Sequence, residues 1–208
     1  MAEKRKTPEI ERRYIPATEI RAVDDNGVKH IIGYAAVFNS LSEDLGGFRE
    51  RIEPGCFTRA CKEDDVRALR NHNSDYVLAR TKSGTLTLSE DAHGLKIDAI
   101  PPDAQWARDL MASVERGDVS QMSFGFRTIT DRWEMQDGQD VRTLLEVELF
   151  DVSPVTFPAY PDTTVALRSK EGWNKENHGS VTPDLAYKVG LMKRKLDQKE
   201  KISGGNVK

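Results

Sequence analysis

QMSFGF, residues 121–126, alternates Met122, Phe124 and Phe126 with Ser123 and Gly125. A period of two is the signature of a β-strand with one face on a core. The opposite face then carries a bare serine and a glycine. Two readings fit it. One is a solvated strand face, where both residues are ordinary. The other is a nucleophilic serine with backbone cleared beside it for a substrate. Six residues fix the element as a strand and leave its role to the rest of the chain.

The neighbouring segments read as β too. LLEVELFDVS, residues 144–153, puts Leu145, Val147 and Leu149 on one face and Glu146 and Glu148 on the other. Phe150 and Val152 then break the parity. A β-bulge near Leu149–Phe150 would return the apolar side chains to the core and set Glu148 and Asp151 on one outward face. Bulges of this kind re-aim side chains beside active sites; a merely solvated acidic face is the competing reading. QDGQD, residues 136–140, joins the two strands as a turn.

Further out, DDNG at 24–27 is a tight-turn signal between two strands, and the nearly all-apolar HIIGYAAVF at 30–38 reads as buried. Residues 39–55 read as a loop with a short strand, and a short helix is expected over about 55–63. DVRALRNHN is a strand ending in a polar cluster at His72. Residues 84–100 form a hairpin turning at Glu90–Gly94. PPDAQWARDLMASVERG, residues 101–117, is the clearest helix, with Asp103 as its N-cap, Trp106, Leu110 and Val114 on one face, and Gly117 at its end. Residues 1–13 read as a charged, frayed arm, and from Arg12 to about Phe38 the chain reads as strands. From 169 onward the chain is lysine-rich and poor in large apolar residues, a composition that predicts a mobile tail with at most a short helix near 183–196. The expected organisation is therefore an arm over 1–13, one domain over 14–168, and a tail over 169–208.

The 208-residue chain carries a net charge of −3 and 38% hydrophobic residues. That balance argues against a nucleic-acid partner. No apolar run approaches the roughly 18 residues of a membrane span, and the charged N-terminus lacks a secretory signal's apolar segment. A soluble intracellular protein is expected. Cys56 and Cys61 have no accompanying Cys or His pair, so neither a zinc site nor another cofactor is expected, and both cysteines read as reduced and structural. A Cys/His protease is the weaker competitor. Phosphate-loop, dinucleotide, metal-helix and Gly-x-Ser-x-Gly signatures do not occur. A serine/histidine/acid triad stays open. Of the four histidines, His93 falls in a turn, His178 in the tail and His30 beside a turn. His72 alone ends a core strand, where a plain loop histidine is the competing reading.

Several blocks together resemble a known family. GYAAVFNSLSEDLGGFRERIEPGCF, LRNHNSDYVLARTKSGTLTLSEDAHGL, RGDVSQMSFGF and ELFDVSPVTFPAYPDTTVAL, in that order from about Ile20 to Leu167, are similar to the tailed-phage prohead proteases. That resemblance implies a mainly β fold with flanking helices, a partly open antiparallel β-barrel of the herpesvirus assembly-protease type. It implies a serine endopeptidase with Ser123 as nucleophile, His72 as base and Asp151 as third member, with Glu148 as the alternative acid. Gly125 and nearby N–H groups would leave room for the oxyanion, and Ser123 would face the barrel's outer surface. The implied substrates are the major capsid protein and scaffold segment, and the chain itself within 169–208. Self-association is a further expectation, and the implied site of action is the assembling prohead in the host cytoplasm. A non-catalytic scaffolding or internal head protein on the same fold is the alternative.

Overall fold

The computed structural model describes residues 10–14 and 20–157. The start of the expected arm, the block over 158–168 and the tail over 169–208 with its helix lie outside them. In chain order the elements are β1 (Glu11–Tyr14), β2 (Ile20–Asp25), β3 (Val28–Val37), β4 (Phe48–Ile52), α1 (Ala60–Glu63), β5 (Arg67–Arg70), β6 (Asn73–Arg80), β7 (Leu86–Glu90), β8 (Gly94–Ala99), α2 (Gln105–Glu115), β9 (Gln121–Gln136) and β10 (Gln139–Val155).

The fold is mainly β, in two sheets. One is ordered β1-β9-β10-β5-β6 with β4 also on β10; the other is ordered β2-β3-β8-β7. No closed barrel forms among the described residues, and the pairing is not wholly antiparallel. β4 and β5 both run parallel to β10. Since β9 takes one edge of β10, these two strands share the other edge in series. β4 covers Asp140–Leu144 and β5 covers Asp151–Val152.

Between them, the segment around α1 satisfies the β10 backbone. The Val147 N–H donates to the Cys56 carbonyl at 3.4 Å and the Leu149 N–H to Asp64 Oδ2 at 2.8 Å. Arg59 donates to the Val147 carbonyl at 3.0 Å and is itself held by Asp64. Buried backbone groups must be paired, so this patch keeps a long central strand intact where no neighbouring strand reaches it.

Met122, Phe124 and Phe126 are fully buried, as their alternation predicts. Phe124 and Phe126 stack at 5.0 Å and Phe57 meets Phe124 edge-on at 5.6 Å. α2 adds Ala107, Leu110, Met111 and Val114 to the same core. Its N-cap is Ala104 without a side-chain cap bond, and Asp103 pairs with Arg108 instead. The expected helix over 55–63 is a single turn preceded by turns. β6 has no counterpart in the sequence reading, because Asn73–Val77 are exposed and show no apolar alternation.

The largest departure is at the N-terminal arm. Its last residues form β1, paired with β9, and Glu11 and Arg13 are buried. Their charges are matched within a closed cluster. Arg13 donates to Glu11 at 2.7 Å and to Glu50 on β4 at 2.8 Å. Arg142 on β10 donates to Glu11 at 2.8 Å, to Glu50 at 3.1 Å, and to Asp131 on β9 at 2.7 Å. Thr128 donates to Glu11 at 2.8 Å. A buried charge is tolerable only when paired and hydrogen-bonded, so a charged arm can sit inside a sheet here.

Burial pushes the Glu11 carboxyl up, but Arg142, Arg13 and Thr128 outweigh it and hold it below its ordinary value. A depressed carboxylate contributes stability that is fully present above the unfolded value of about 4.3 and is lost as pH falls through the native value. Urea unfolding measured between pH 7 and pH 3 should therefore show a steeper acid loss in the parent than in Glu11→Gln. Parallel acid limbs would contradict this.

Candidate active site

Strand parity places the site on the face of the β9–β10 ribbon opposite the phenylalanines. Ser123 lies opposite Ser153, and Gly125 opposite Asp151. The register slips between Leu149 and Asp151, leaving Phe150 without a partner. This is the bulge expected from the parity break, although Phe150 itself stays half-buried rather than joining the core. The slip puts Asp151 on the Ser123 face.

Its carboxylate then needs space on β9. A Cβ at Gly125 would lie 2.3 Å from Asp151 Oδ2 and 3.2 Å from its Cγ. Glycine at 125 therefore makes room for the Asp151 carboxylate.

His72 arrives from a different direction. β5 and β6 form a two-residue hairpin, Arg70 facing Asn73 across Asn71 and His72. Both turn residues have positive φ, +53° and +56°, as a type I′ turn requires. Asparagine tolerates this conformation, whereas in histidine it costs about 1–2 kcal/mol. The strain is held by the end of β10. The Asn71 N–H donates to the Pro154 carbonyl at 3.0 Å, and Asn71 Oδ1 accepts the Thr156 N–H at 2.9 Å.

The result is a chain of hydrogen bonds. His72 Nδ1 lies 2.6 Å from Asp151 Oδ1, and His72 Nε2 lies 2.7 Å from Ser123 Oγ. A carboxylate only accepts, so Nδ1 carries the proton and Nε2 faces the serine. Ser153 donates to the same Asp151 oxygen at 2.6 Å. Glu148, the alternative acid, pairs with Arg127 on β9. The described residues thus bring together Ser123, His72 and Asp151 from three separate stretches. A cleft of about 350 Å³ opens beside His72, lined by Arg12, Asn71, Val155, Thr156 and Phe157.

Ser123 is not on an outer surface, as the resemblance implied. It is 0% exposed, and its hydroxyl also donates to the Arg13 carbonyl of β1 at 2.9 Å. Cys56 is wholly buried, and burial pushes its thiol, like that of Cys61, well above the ordinary value, the opposite of an activated nucleophile. Asn71 and Ser153 were missed from sequence. Asparagine beside His72 in a turn, and a serine two residues past Asp151 on the same face, were the available signals.

A chain of this geometry can move a proton from a serine hydroxyl to an imidazole oriented by a carboxylate. The sequence model of the Caudovirus prohead serine proteases matches residues 17–177. This chain belongs to that family. It is a serine protease of capsid maturation. The prohead protease of Enterobacteria phage HK97 is 28% identical over a 191-residue alignment that spans 85% of this chain and 80% of that protein. No solved structure matches.

Gly125→Ala should separate catalysis from folding. The added methyl displaces the Asp151 carboxylate, and misplacement on this scale costs about 100-fold in rate. Overpacking costs stability by roughly 1–3 kcal/mol, short of what most domains need to unfold. Capsid-protein cleavage measured alongside a urea midpoint checks it; parent-like cleavage would show that Gly125 does not set the acid's position.

Proposed function

We propose that this protease cleaves the major capsid protein and scaffold segment of its phage inside the assembling prohead, in the host cytoplasm, with Ser123 as nucleophile, His72 as general base and Asp151 as the positioning acid. The observation that carries this is the continuous hydrogen-bond chain from Asp151 through His72 to Ser123 in a member of this family.

In the first half-reaction Ser123 Oγ forms a bond to the scissile carbonyl carbon as its proton passes to His72 Nε2. Collapse of the tetrahedral species breaks the C–N bond, and His72 returns that proton to the departing amine. In the second, a water attacks the acyl ester, gives a proton to His72, and releases the new carboxyl terminus and a re-protonated Ser123. Asp151 stays ionised throughout. It fixes the tautomer and stabilises the imidazolium, and the Ser153 hydroxyl holds its shared oxygen in place.

Two coarser expectations join this reading. The domain spans 14–168 with a tail over 169–208, and self-cleavage falls within that lysine-rich tail. The finer architecture is the herpesvirus assembly-protease type, supported by two packed sheets around one core and flanking helices.

Co-expression with the capsid protein, read by intact mass of both chains, tests the assignment. The parent should yield shortened capsid protein and lose its own tail. Ser123→Ala should do neither, since losing a triad nucleophile costs several orders of magnitude. Asp151→Asn should fall by about 10⁴ while Glu148→Gln stays near the parent. Processing by Ser123→Ala, or the reverse ranking of the two acids, would overturn the corresponding role.

A further inference from the structure

The serine that the chemistry needs is covered, and the cover is part of the same chain. Ser123 is 0% exposed, so no substrate carbonyl reaches it in this arrangement. Three groups surround its hydroxyl: His72, the facing strand at Ser153, and the Arg13 carbonyl of β1. His72 belongs to the proposed machinery, and β10 is central in its sheet. β1 is a four-residue edge strand whose only strand partner among the described residues is β9. It is the element that can leave without breaking the site.

β1 also lies where an extended peptide would have to lie. It runs antiparallel along the nucleophile strand, with Tyr14 opposite Ser123, Arg13 opposite Phe124 and Arg12 opposite Gly125. Arg12 forms part of the wall of the cleft that opens beside His72. Adding a strand to a sheet edge is a general way to hold an extended peptide by its main chain.

The Arg13 contact is unproductive in a specific way. Ser123 has one hydroxyl proton and two acceptors in reach, His72 Nε2 at 2.7 Å and the Arg13 carbonyl oxygen at 2.9 Å. General-base catalysis needs that proton directed at His72. While β1 is docked, its carbonyl competes for the same proton and presents oxygen, not carbon, to the nucleophile.

We propose that β1 fills the extended-peptide track along β9 and keeps Ser123 latent until it is displaced, so that substrate strands replace it on the same edge. This rests on Ser123 being the nucleophile. The latch is the ionic cluster. Glu11 and Arg13 together contribute no net charge, and Arg142 keeps Glu50 and Asp131 as partners when they leave. Release therefore removes one cation and one anion together and leaves Arg142 shared between Glu50 and Asp131.

The test uses the full chain and an alkyl fluorophosphonate, which reports serine reactivity without needing a peptide sequence. Glu11→Ala with Arg13→Ala weakens the latch and touches no reacting group. The double variant should label at Ser123 faster than the parent by about tenfold or more, because the rate scales with the open fraction. In the parent, hydrogen exchange over residues 10–14 should rise once labelling is complete, since an adduct on Ser123 cannot coexist with the docked strand. Equal labelling rates through Ser123 in both folded proteins would overturn the latch and leave the nucleophile assignment standing. Labelling that persists in Ser123→Ala would remove the nucleophile assignment and the latch with it. If the double variant does not fold, the parent's exchange decides alone, and unchanged protection over 10–14 after labelling overturns the proposal.

Discussion

The antiparallel pairing of β9 with β10 is the constraint on which the rest depends. It carries the core on one face, through Phe124, Phe126, Val147 and Leu149, and the site on the other, through Ser123, Gly125, Asp151 and Ser153. Both faces cannot be served by a regular ladder, because the apolar parity of β10 changes at Phe150. The unpaired residue there resolves the conflict and aims Asp151 across Gly125. The β5–β6 hairpin then needs only to reach the top of β10, where Asn71 ties it to Pro154 and Thr156. Strain at His72 is tolerated because that tie and two hydrogen bonds from its ring fix the residue from both sides.

Much of this was legible from sequence for a simple reason. Period-two alternation survives wherever one face is buried, so QMSFGF and LLEVELFDVS announce their strands and the slip at Phe150, but not the two further register shifts between Leu144 and Val147, which bury Leu144 in place of Leu145. The same parity raised Ser123 and Asp151 as candidates, a strand end raised His72, and the family resemblance supplied the roles expected of them. The illegible parts are those whose cause is not local. β6 is exposed for most of its length and shows no alternation. β4 and β5 lie parallel to β10 because its second edge is open to both, which no segment records by itself. The N-terminal arm looked like solvated charge because its partners, Glu50 and Arg142, lie far along the chain.

That buried cluster is costly to form, since each ion gives up its hydration. Replacing buried ion pairs by apolar residues is often neutral or stabilising. Its position suggests what the arrangement accomplishes: it fastens one short strand over one serine. A protease made beside its own substrates needs restraint, and a latch whose own two charges cancel can open without changing the net charge of the cluster, leaving Arg142 with Glu50 and Asp131. Cys56, by contrast, is simply a core residue, and Cys61 on α1 packs partly buried against that core.

The central claim is that Asp151 acts through His72, not beside it. The direct measurement is the rate of capsid-protein cleavage in Asp151→Asn, in His72→Ala, and in the two combined. Residues that work as one unit are strongly non-additive. With His72 already gone, the Asp151 substitution should lower the residual rate no further. A combined loss equal to the product of the two separate losses would contradict a single hydrogen-bonded unit.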